Sequence, residues 1–335
     1  RIKKLTDEIR LDPAGHPLRK ELLKAELLPY QMEGVAFAVG AGRAVLADDM
    51  GLGKTIQALA LMIQERAHGP HLVVCPTSVT RHWSEQIHQF CPTLEPILYE
   101  GSGRRALLGD LQTGQVVIAS YRLLLGDQRA FSKVDWRIAL LDEAQAIKNP
   151  KSKTARACFL LKARIRLATT GTPIENRASE LWSLFRFLNP GLLGSLASFQ
   201  KRFEQTFERD NRPLLRRMVA PFLLRRLKSD VLRELPERTE LTLTVDLSKE
   251  ERALYEGVRR QAEEQLEKGH TMQLLAHLTR LRQACCHPRL LVPDSEMKSS
   301  KLRALMELTD HLKAGNHRAL IFSQFTSLLD LVEEQ

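Results

Sequence analysis

The chain has 335 residues, 43% of them hydrophobic, with 50 lysines and arginines against 40 aspartates and glutamates. That length and apolar content suffice for one large or two ordinary packed domains and exclude a disordered chain, and no apolar run approaches the roughly 18 residues that would span a bilayer as a helix. The net charge of +10 and a pI near 9.5 favour a polyanionic partner such as nucleic acid without locating a site for it.

Taken in chain order, residues 1–24 read as an N-terminal extension. From about 43 to 188, short apolar runs alternate with longer amphipathic ones, the α/β pattern of a parallel sheet covered by helices. Strands are predicted over 43–47, 71–75, 96–99, 116–120, 138–141 and 166–169, each followed by a helical pattern. Gly69-Pro70 should end one helix, because proline cannot continue it. After Asn189-Pro190-Gly191 the chain becomes helical and highly charged to about 290, except for one strand predicted over 240–247 from the alternation of Leu241, Leu243, Val245 and Leu247. A polar stretch then leads to a predicted helix over 301–313 and an apolar strand over 319–322, the opening of a second α/β unit. The chain starts at Arg1 and stops inside a helical pattern, so both termini are expected to be cut.

The five cysteines, Cys75, Cys91, Cys158, Cys285 and Cys286, form no C-x-x-C pair, and a reducing intracellular compartment is expected. Cys285, Cys286 and His287 stand together, but a second ligand cluster at zinc-finger spacing is absent.

The first chemistry-bearing motif follows the strand predicted over 43–47. Asp48-Asp49-Met50-Gly51-Leu52-Gly53-Lys54-Thr55 leads into a long helical pattern, so strand, glycine loop and helix come in phosphate-loop order. Gly51 and Gly53 would let the backbone wrap phosphates, Lys54 would reach the β- and γ-phosphates, and the Thr55 hydroxyl would ligate magnesium. Asp48 occupies the first glycine position of the strict G-x-x-x-x-G-K-[ST] pattern. The second motif, Asp142-Glu143-Ala144-Gln145, places two carboxylates at the end of an apolar strand, where open parallel sheets bind ligands. Asp142 would hold magnesium through its water shell and Glu143 would polarise the attacking water. The alternative reading is a strand-end turn with an aspartate capping the next helix.

These residues carry a family likeness. Residues 48–57 resemble the first helicase motif of SWI/SNF-type ATPases in helicase superfamily two, which shares the aspartate at 48 and usually has glutamate where Asp49 stands. Asp142-Glu143-Ala144-Gln145 is similar to the family's second motif, with Gln145 in place of the commoner histidine. Thr170-Gly171-Thr172-Pro173-Ile174-Glu175-Asn176 is similar to the third. Leu28 to Gly34 resembles the upstream element whose glutamine, here Gln31, reads the adenine edge. Val74 to Ser78 and Ala119-Ser120-Tyr121 resemble the DNA-strand contact motifs Ia and Ib. Phe222 to Lys228 resembles the inter-lobe segment, Gln283 to Pro288 the second helical protrusion, and Ile321-Phe322-Ser323-Gln324-Phe325 motif IV.

The resemblance implies a RecA-like P-loop lobe over 25–190, helical protrusions and an inter-lobe crossover over 191–295, and the start of a second RecA-like lobe over 296–335. It implies a double-stranded-DNA-dependent ATPase using ATP and Mg2+. Lys54, Asp142 and Glu143 would be catalytic, and Gln31, Asp49, Met50, Gly51, Leu52, Gly53, Lys54 and Thr55 would hold the nucleotide. Thr55 and Asp142 would serve the metal, and Pro76, Thr77, Ser78, Ser120, Tyr121, Ser323 and Gln324 would meet DNA. Thr170, Gly171 and Thr172 would couple the two. Ser78 and Ser120 are equally readable as helix N-caps, and Arg216, Arg217, Arg225, Arg226 and Lys228 as a phosphate-tracking strip or a solvated face. Trp83, Trp136 and Trp182 read as packing residues. The family's motif VI arginines, worth roughly 10³ to 10⁵ in rate, lie beyond motif IV, so the chain is expected to bind ATP far better than it hydrolyses it. Its wording resembles bacterial or archaeal relatives, which makes a cytoplasmic, nucleoid-associated location the expectation. RNA polymerase is a candidate partner, and a nucleotide-gated scaffold is the rival from another class.

Overall fold

A computed structural model of the chain describes residues 24–171, 178–205, 211–231, 240–267 and 274–335. Thr172 and the following residues of its motif, and all of the N-terminal extension but Lys24, lie outside the described residues. The chain divides into two compact units, one up to residue 236 and one from 237 onward, and the division falls inside the segment assigned above to protrusions and crossover.

The first unit is a seven-stranded parallel sheet. Its strands are β1 (Arg43–Leu46), β2 (His71–Cys75), β3 (Glu95–Leu98), β4 (Gln115–Ser120), β5 (Asp135–Leu141), β6 (Lys162–Thr169) and β7 (Leu223–Leu224), in the spatial order β3-β4-β2-β5-β6-β1-β7. All six strands predicted for this region are present, and β7 is an addition. Every residue of β2 is buried, as strands covered on both faces require. The helices are α1 (Pro29–Ala41, ahead of β1), then between the strands α2 (Lys54–Glu65), α3 (Thr80–Phe90), α4 (Tyr121–Gly126), α5 (Gln128–Phe131), α6 (Lys153–Phe159), α7 (Ala178–Leu188), α8 (Leu196–Gln200) and α9 (Asn211–Val219), and after β7 α10 (Lys228–Val231).

Successive strand residues face opposite sides of a sheet, and the core divides accordingly. Leu46, Val73, Cys75, Ile118, Leu140 and Leu167 meet Val35, Leu59, Ile63, Trp83 and Ile87 from α1, α2 and α3. Their neighbours Val45, Val74, Ala119, Leu141 and Ala168 meet Phe131, Leu181, Phe185 and Phe199 on the other side. Burying either layer stabilises the unit by about 25 cal/mol for each Å² of apolar surface removed from water. Because all strands are parallel, the loops after β1, β2, β4, β5, β6 and β7 open on one carboxyl edge.

One buried group ties this core to pH. His71, at the start of β2, is fully buried, and desolvation with Arg137 nearby pushes its imidazole from 6.5 down to about 4. The unfolded chain therefore takes up a proton that the folded chain refuses. This contribution to stability is complete above about pH 6.5 and is lost as pH falls toward 4, by up to ~3 kcal/mol. Urea unfolding of wild type and His71→Val between pH 7 and 4.5 should show a shallower loss in the variant; equal slopes would refute the assignment.

In the second unit, α11 (Lys249–Glu267) packs against α12 (Leu274–Ala284), followed by α13 (Ser300–Ala314) and α14 (Thr326–Glu333). Buried Glu251 accepts from the Ser300 amide at 2.8 Å and its hydroxyl at 2.6 Å, fixing α11 to the start of α13. Two predicted strands are absent. Residues 240–247 carry no regular structure and leave Leu241 85% and Leu243 65% exposed, and residues 319–322 are likewise irregular, with Leu320 and Phe322 exposed. Period-two alternation makes a segment strand-competent, but a strand exists only where a neighbour completes its hydrogen bonds, and neither segment has one among the described residues.

Candidate nucleotide site at the carboxyl edge

β1 delivers the chain into the glycine loop. Gly51 and Gly53 sit at φ 81° and 75°, a region that side chains rarely adopt, and Gly53 caps the N-terminus of α2. A methyl group on Gly53 would also strike the Gln31 amide. The Lys54 ammonium bridges the loop, donating to the carbonyls of Asp48 at 2.7 Å and Asp49 at 3.1 Å. Burial lowers its pKa, and the carboxylates of Glu143, Asp48, Asp142 and Asp49 oppose that shift. Thr55 is half-buried in the first turn of α2, Leu52 is buried, and Met50 is exposed beside Gly171. Gln31 lies against this loop: its Nε2 donates to the Leu52 carbonyl at 3.3 Å, and its Oε1 accepts from the Leu28 amide at the start of α1.

Asp48, in the first glycine position, is fully buried and takes ordinary backbone, since Glu143 and Asn316 are the non-glycine residues of positive φ among those described. It is held from the far end of the unit. Arg226 Nε donates to its Oδ1 at 3.0 Å and Nη2 to its Oδ2 at 2.6 Å, and Gln57 Nε2 donates to Oδ2 at 3.2 Å. The same guanidinium donates to the Tyr30 carbonyl and lies 5.2 Å from the Tyr30 ring centre. Beside it the backbone joins the loop, with the Ala47 amide donating to Leu224, Asp49 to the Arg226 carbonyl, and Lys228 to the Asp49 carboxylate. β7 therefore serves as a backstop for the glycine loop. The side chains of Arg216, Arg217 and Arg225 are exposed.

Asp142 leaves β5 at the same edge. Its Oδ1 accepts from Thr169 Oγ1 at 2.7 Å and from the Glu143 amide at 3.1 Å, and its Oδ2 accepts from Trp83 Nε1 at 2.8 Å. Glu143 has φ 48°, a strained conformation for a non-glycine residue that recurs at functional sites. Gln145 Nε2 donates to the Glu143 carboxylate at 2.8 Å, and Gln145 Oε1 accepts from Thr170 Oγ1 at 3.1 Å. The end of β6 is thus wired to the second carboxylate.

Pro76, Thr77 and Ser78 form a short turn after β2 at this edge, with Thr77 and Ser78 exposed. Ser120 caps α4, its Oγ accepting from the Leu123 amide, which is the capping alternative foreseen for it. Tyr121 is buried and donates its hydroxyl to the Asp142 carbonyl at 2.8 Å. Ser323 and Gln324 belong to the second unit, where Ser323 Oγ accepts from the Phe325 amide. Trp83, Trp136 and Trp182 are buried, and the last two give their ring N–H to the Phe131 and Gly194 carbonyls.

Sequence reading placed the loop and the carboxylates but not their supports. By residue type Arg226 reads as part of a phosphate-tracking strip, a solvated face or an inter-lobe segment, and the one signal of its hold on Asp48 is an acid standing at a glycine position. Trp83 reads from sequence as a packing residue, and nothing local distinguishes a tryptophan whose N–H reaches a carboxylate 59 positions away.

The SNF2-related domain matches residues 30–290. The chain is 37% identical to the putative ATP-dependent helicase/translocase YwqA of Bacillus subtilis, over 92% of this chain and 36% of that protein. It is 32% identical to the ISWI chromatin-remodeling complex ATPase CHR11 of Arabidopsis thaliana, over 93% of this chain and 32% of that protein. It thus spans about a third of the length of these relatives. Among solved structures, the SWI2/SNF2 ATPase core of Sulfolobus solfataricus in complex with dsDNA is similar with a TM-score of 0.62 and 32% identity, covering 93% of this chain and 70% of that one.

Proposed function

Because the chain belongs to the SNF2-related family, we propose that it is the ATP-binding portion of a double-stranded-DNA-dependent ATPase, a motor that tracks along duplex DNA and remodels protein–DNA complexes without separating strands. The observation that carries this reading is the convergence of Lys54, Asp142 and Glu143, which follow two different strands, β1 and β5, on one edge of a parallel sheet. In that role Lys54 exchanges its carbonyl partners for the β- and γ-phosphates of ATP, and the amides at the start of α2 face the same oxygens. Glu143, oriented by Gln145, orients the attacking water and accepts its proton.

The donor set suits magnesium. Thr55 and Asp142 offer hard oxygen, and no group of three metal-binding side chains occurs among the described residues. A small cation that keeps its waters and takes its remaining ligands from phosphate matches so sparse a site. Magnesium, when bound, neutralises charge developing on the phosphoryl oxygens. Thr77 and Ser78, exposed at this edge, are suited to donate to DNA phosphates. That such contacts position a protein on duplex DNA without reading sequence fits a tracking motor.

The test is ATP turnover with and without double-stranded DNA, for this chain and for one lengthened toward the span of its relatives, each with a Lys54→Ala control. DNA-stimulated, Lys54-dependent turnover in the longer protein is expected, with weak turnover in this chain. A longer protein that folds and binds ATP yet turns over with no DNA tried would instead favour a nucleotide-gated scaffold.

A further inference from the structure

We propose that Trp83 and Thr169 are positioning residues that orient the Asp142 carboxylate and set how it meets a metal; this rests on the nucleotide reading above. A carboxylate has about four acceptor sites, two on each oxygen. Three are filled from within the chain: Oδ1 by the Thr169 hydroxyl at 2.7 Å and the Glu143 amide at 3.1 Å, Oδ2 by the Trp83 indole at 2.8 Å. Among the described residues, one site, on Oδ2, is left. A group so committed would meet a metal, or one of its waters, through a single position on Oδ2, with no second oxygen free for chelation.

The two donors come from separate places. Trp83 lies one turn into α3, just after the exposed turn of Thr77 and Ser78, and is 1% exposed. Thr169 is the last residue of β6, immediately before Thr170 and Gly171, and is fully buried. Its single hydroxyl proton could go to the Leu141 carbonyl at 3.4 Å, but the charged acceptor at 2.7 Å is the far stronger partner. Both side chains are buried and each spends its one side-chain donor on the same carboxylate, so packing alone does not account for an indole N–H and a hydroxyl both ending there. The Asp142 carboxylate is therefore the point at which the turn after β2 and the end of β6 meet, and movement of either segment alters the acceptor offered to the metal's water.

The experiment measures binding of a fluorescent N-methylanthraniloyl ADP to this chain while Mg2+ is titrated, for wild type, Thr169→Val, Thr169→Ser and Trp83→Phe, with thermal melting followed in parallel. In EDTA all four should bind nucleotide within about two-fold of each other, because Lys54 and the loop amides are untouched. The Mg2+ concentration for half-maximal tightening should rise ~10- to 100-fold in Thr169→Val and Trp83→Phe, the usual cost of removing a partner that orients a metal-serving group. Thr169→Ser should return it to near the wild-type value. An unchanged Mg2+ midpoint in Thr169→Val would overturn the proposal, as would a Thr169→Ser shift equal to that of valine. Should Trp83→Phe not fold, the isosteric threonine series decides alone. Failure of wild type to bind nucleotide even with Mg2+ is a different result, which overturns the nucleotide reading and this proposal with it.

Discussion

Replacing Lys54 with alanine is expected to weaken ATP binding by roughly 10- to 100-fold, since a hydrogen bond to a charged group is worth about 1.5–3 kcal/mol. Turnover in a DNA-stimulated assay should fall by a further ~10² to 10³, the scale seen when one electrostatic contact to developing charge is removed. Fold stability should barely change. The two carbonyls that Lys54 bridges lie in a loop whose backbone is independently tied to β7, by the Asp49 amide on Arg226 and the Ala47 amide on Leu224. Thermal melting should therefore move by the equivalent of about 1 kcal/mol or less while binding collapses. Lys54→Arg should not rescue, because a planar fork cannot occupy the place of a compact ammonium lying within 2.7 Å and 3.1 Å of two carbonyls. Calorimetric titration with ATP, read beside the melting curve, separates the two effects. An alanine variant that bound ATP as wild type does would end the phosphate-loop reading.

Arg226→Ala is expected to have the opposite profile, a large loss of stability. Asp48 is fully buried, and the guanidinium supplies two of the three hydrogen bonds its carboxylate accepts among the described residues, at 3.0 Å and 2.6 Å. Removing one partner of a buried pair leaves an uncompensated charge and costs about 3–5 kcal/mol. For a unit of this size that amounts to a fall of roughly 10 °C in Tm. Arg226→Lys should recover little, since a point charge cannot make the paired contact. Neutralising the other side as well should recover more: Arg226→Ala with Asp48→Asn is predicted to be more stable than Arg226→Ala alone, the signature of coupled residues. Equal melting temperatures for the single and double variants would show that the pair does not hold the loop.

The parts of the fold that were legible in the sequence are those whose signal is local. β2 and β5 are apolar runs bounded by turn residues. The glycine loop is recognisable because Gly51 and Gly53 supply positive φ next to a lysine, and Asp142 with Glu143 because two acids close an apolar run. What escaped depends on partners far away in the chain. The alternation of Leu241, Leu243, Val245 and Leu247 satisfies the local requirement for a strand, yet pairing is decided by neighbours that no window contains. β7 errs in the other direction: Leu223 and Leu224 are too short a run to signal a strand, and they become one only because the edge of β1 lies open beside them. The contacts of Trp83 and Arg226 to the site belong to the same class, since burial and rotamer determine them and residue type does not.

Arg226 and Asp48 are separated by 178 positions. Contacts that close so long a loop bear a large entropic cost before they return any energy, and they form late when a chain folds. The glycine loop is made early in synthesis, but its backing acid acquires its counter-charge only after all seven strands have left the ribosome. Until then Asp48 lacks the guanidinium that fixes it, and the glycine loop should not hold its final shape. A ligand that binds only the finished form adds its own binding energy to the folded side of the balance. In this unit a bound nucleotide would therefore act as a late-arriving clamp on the loop after β1, whose counter-charge is made 178 positions afterwards.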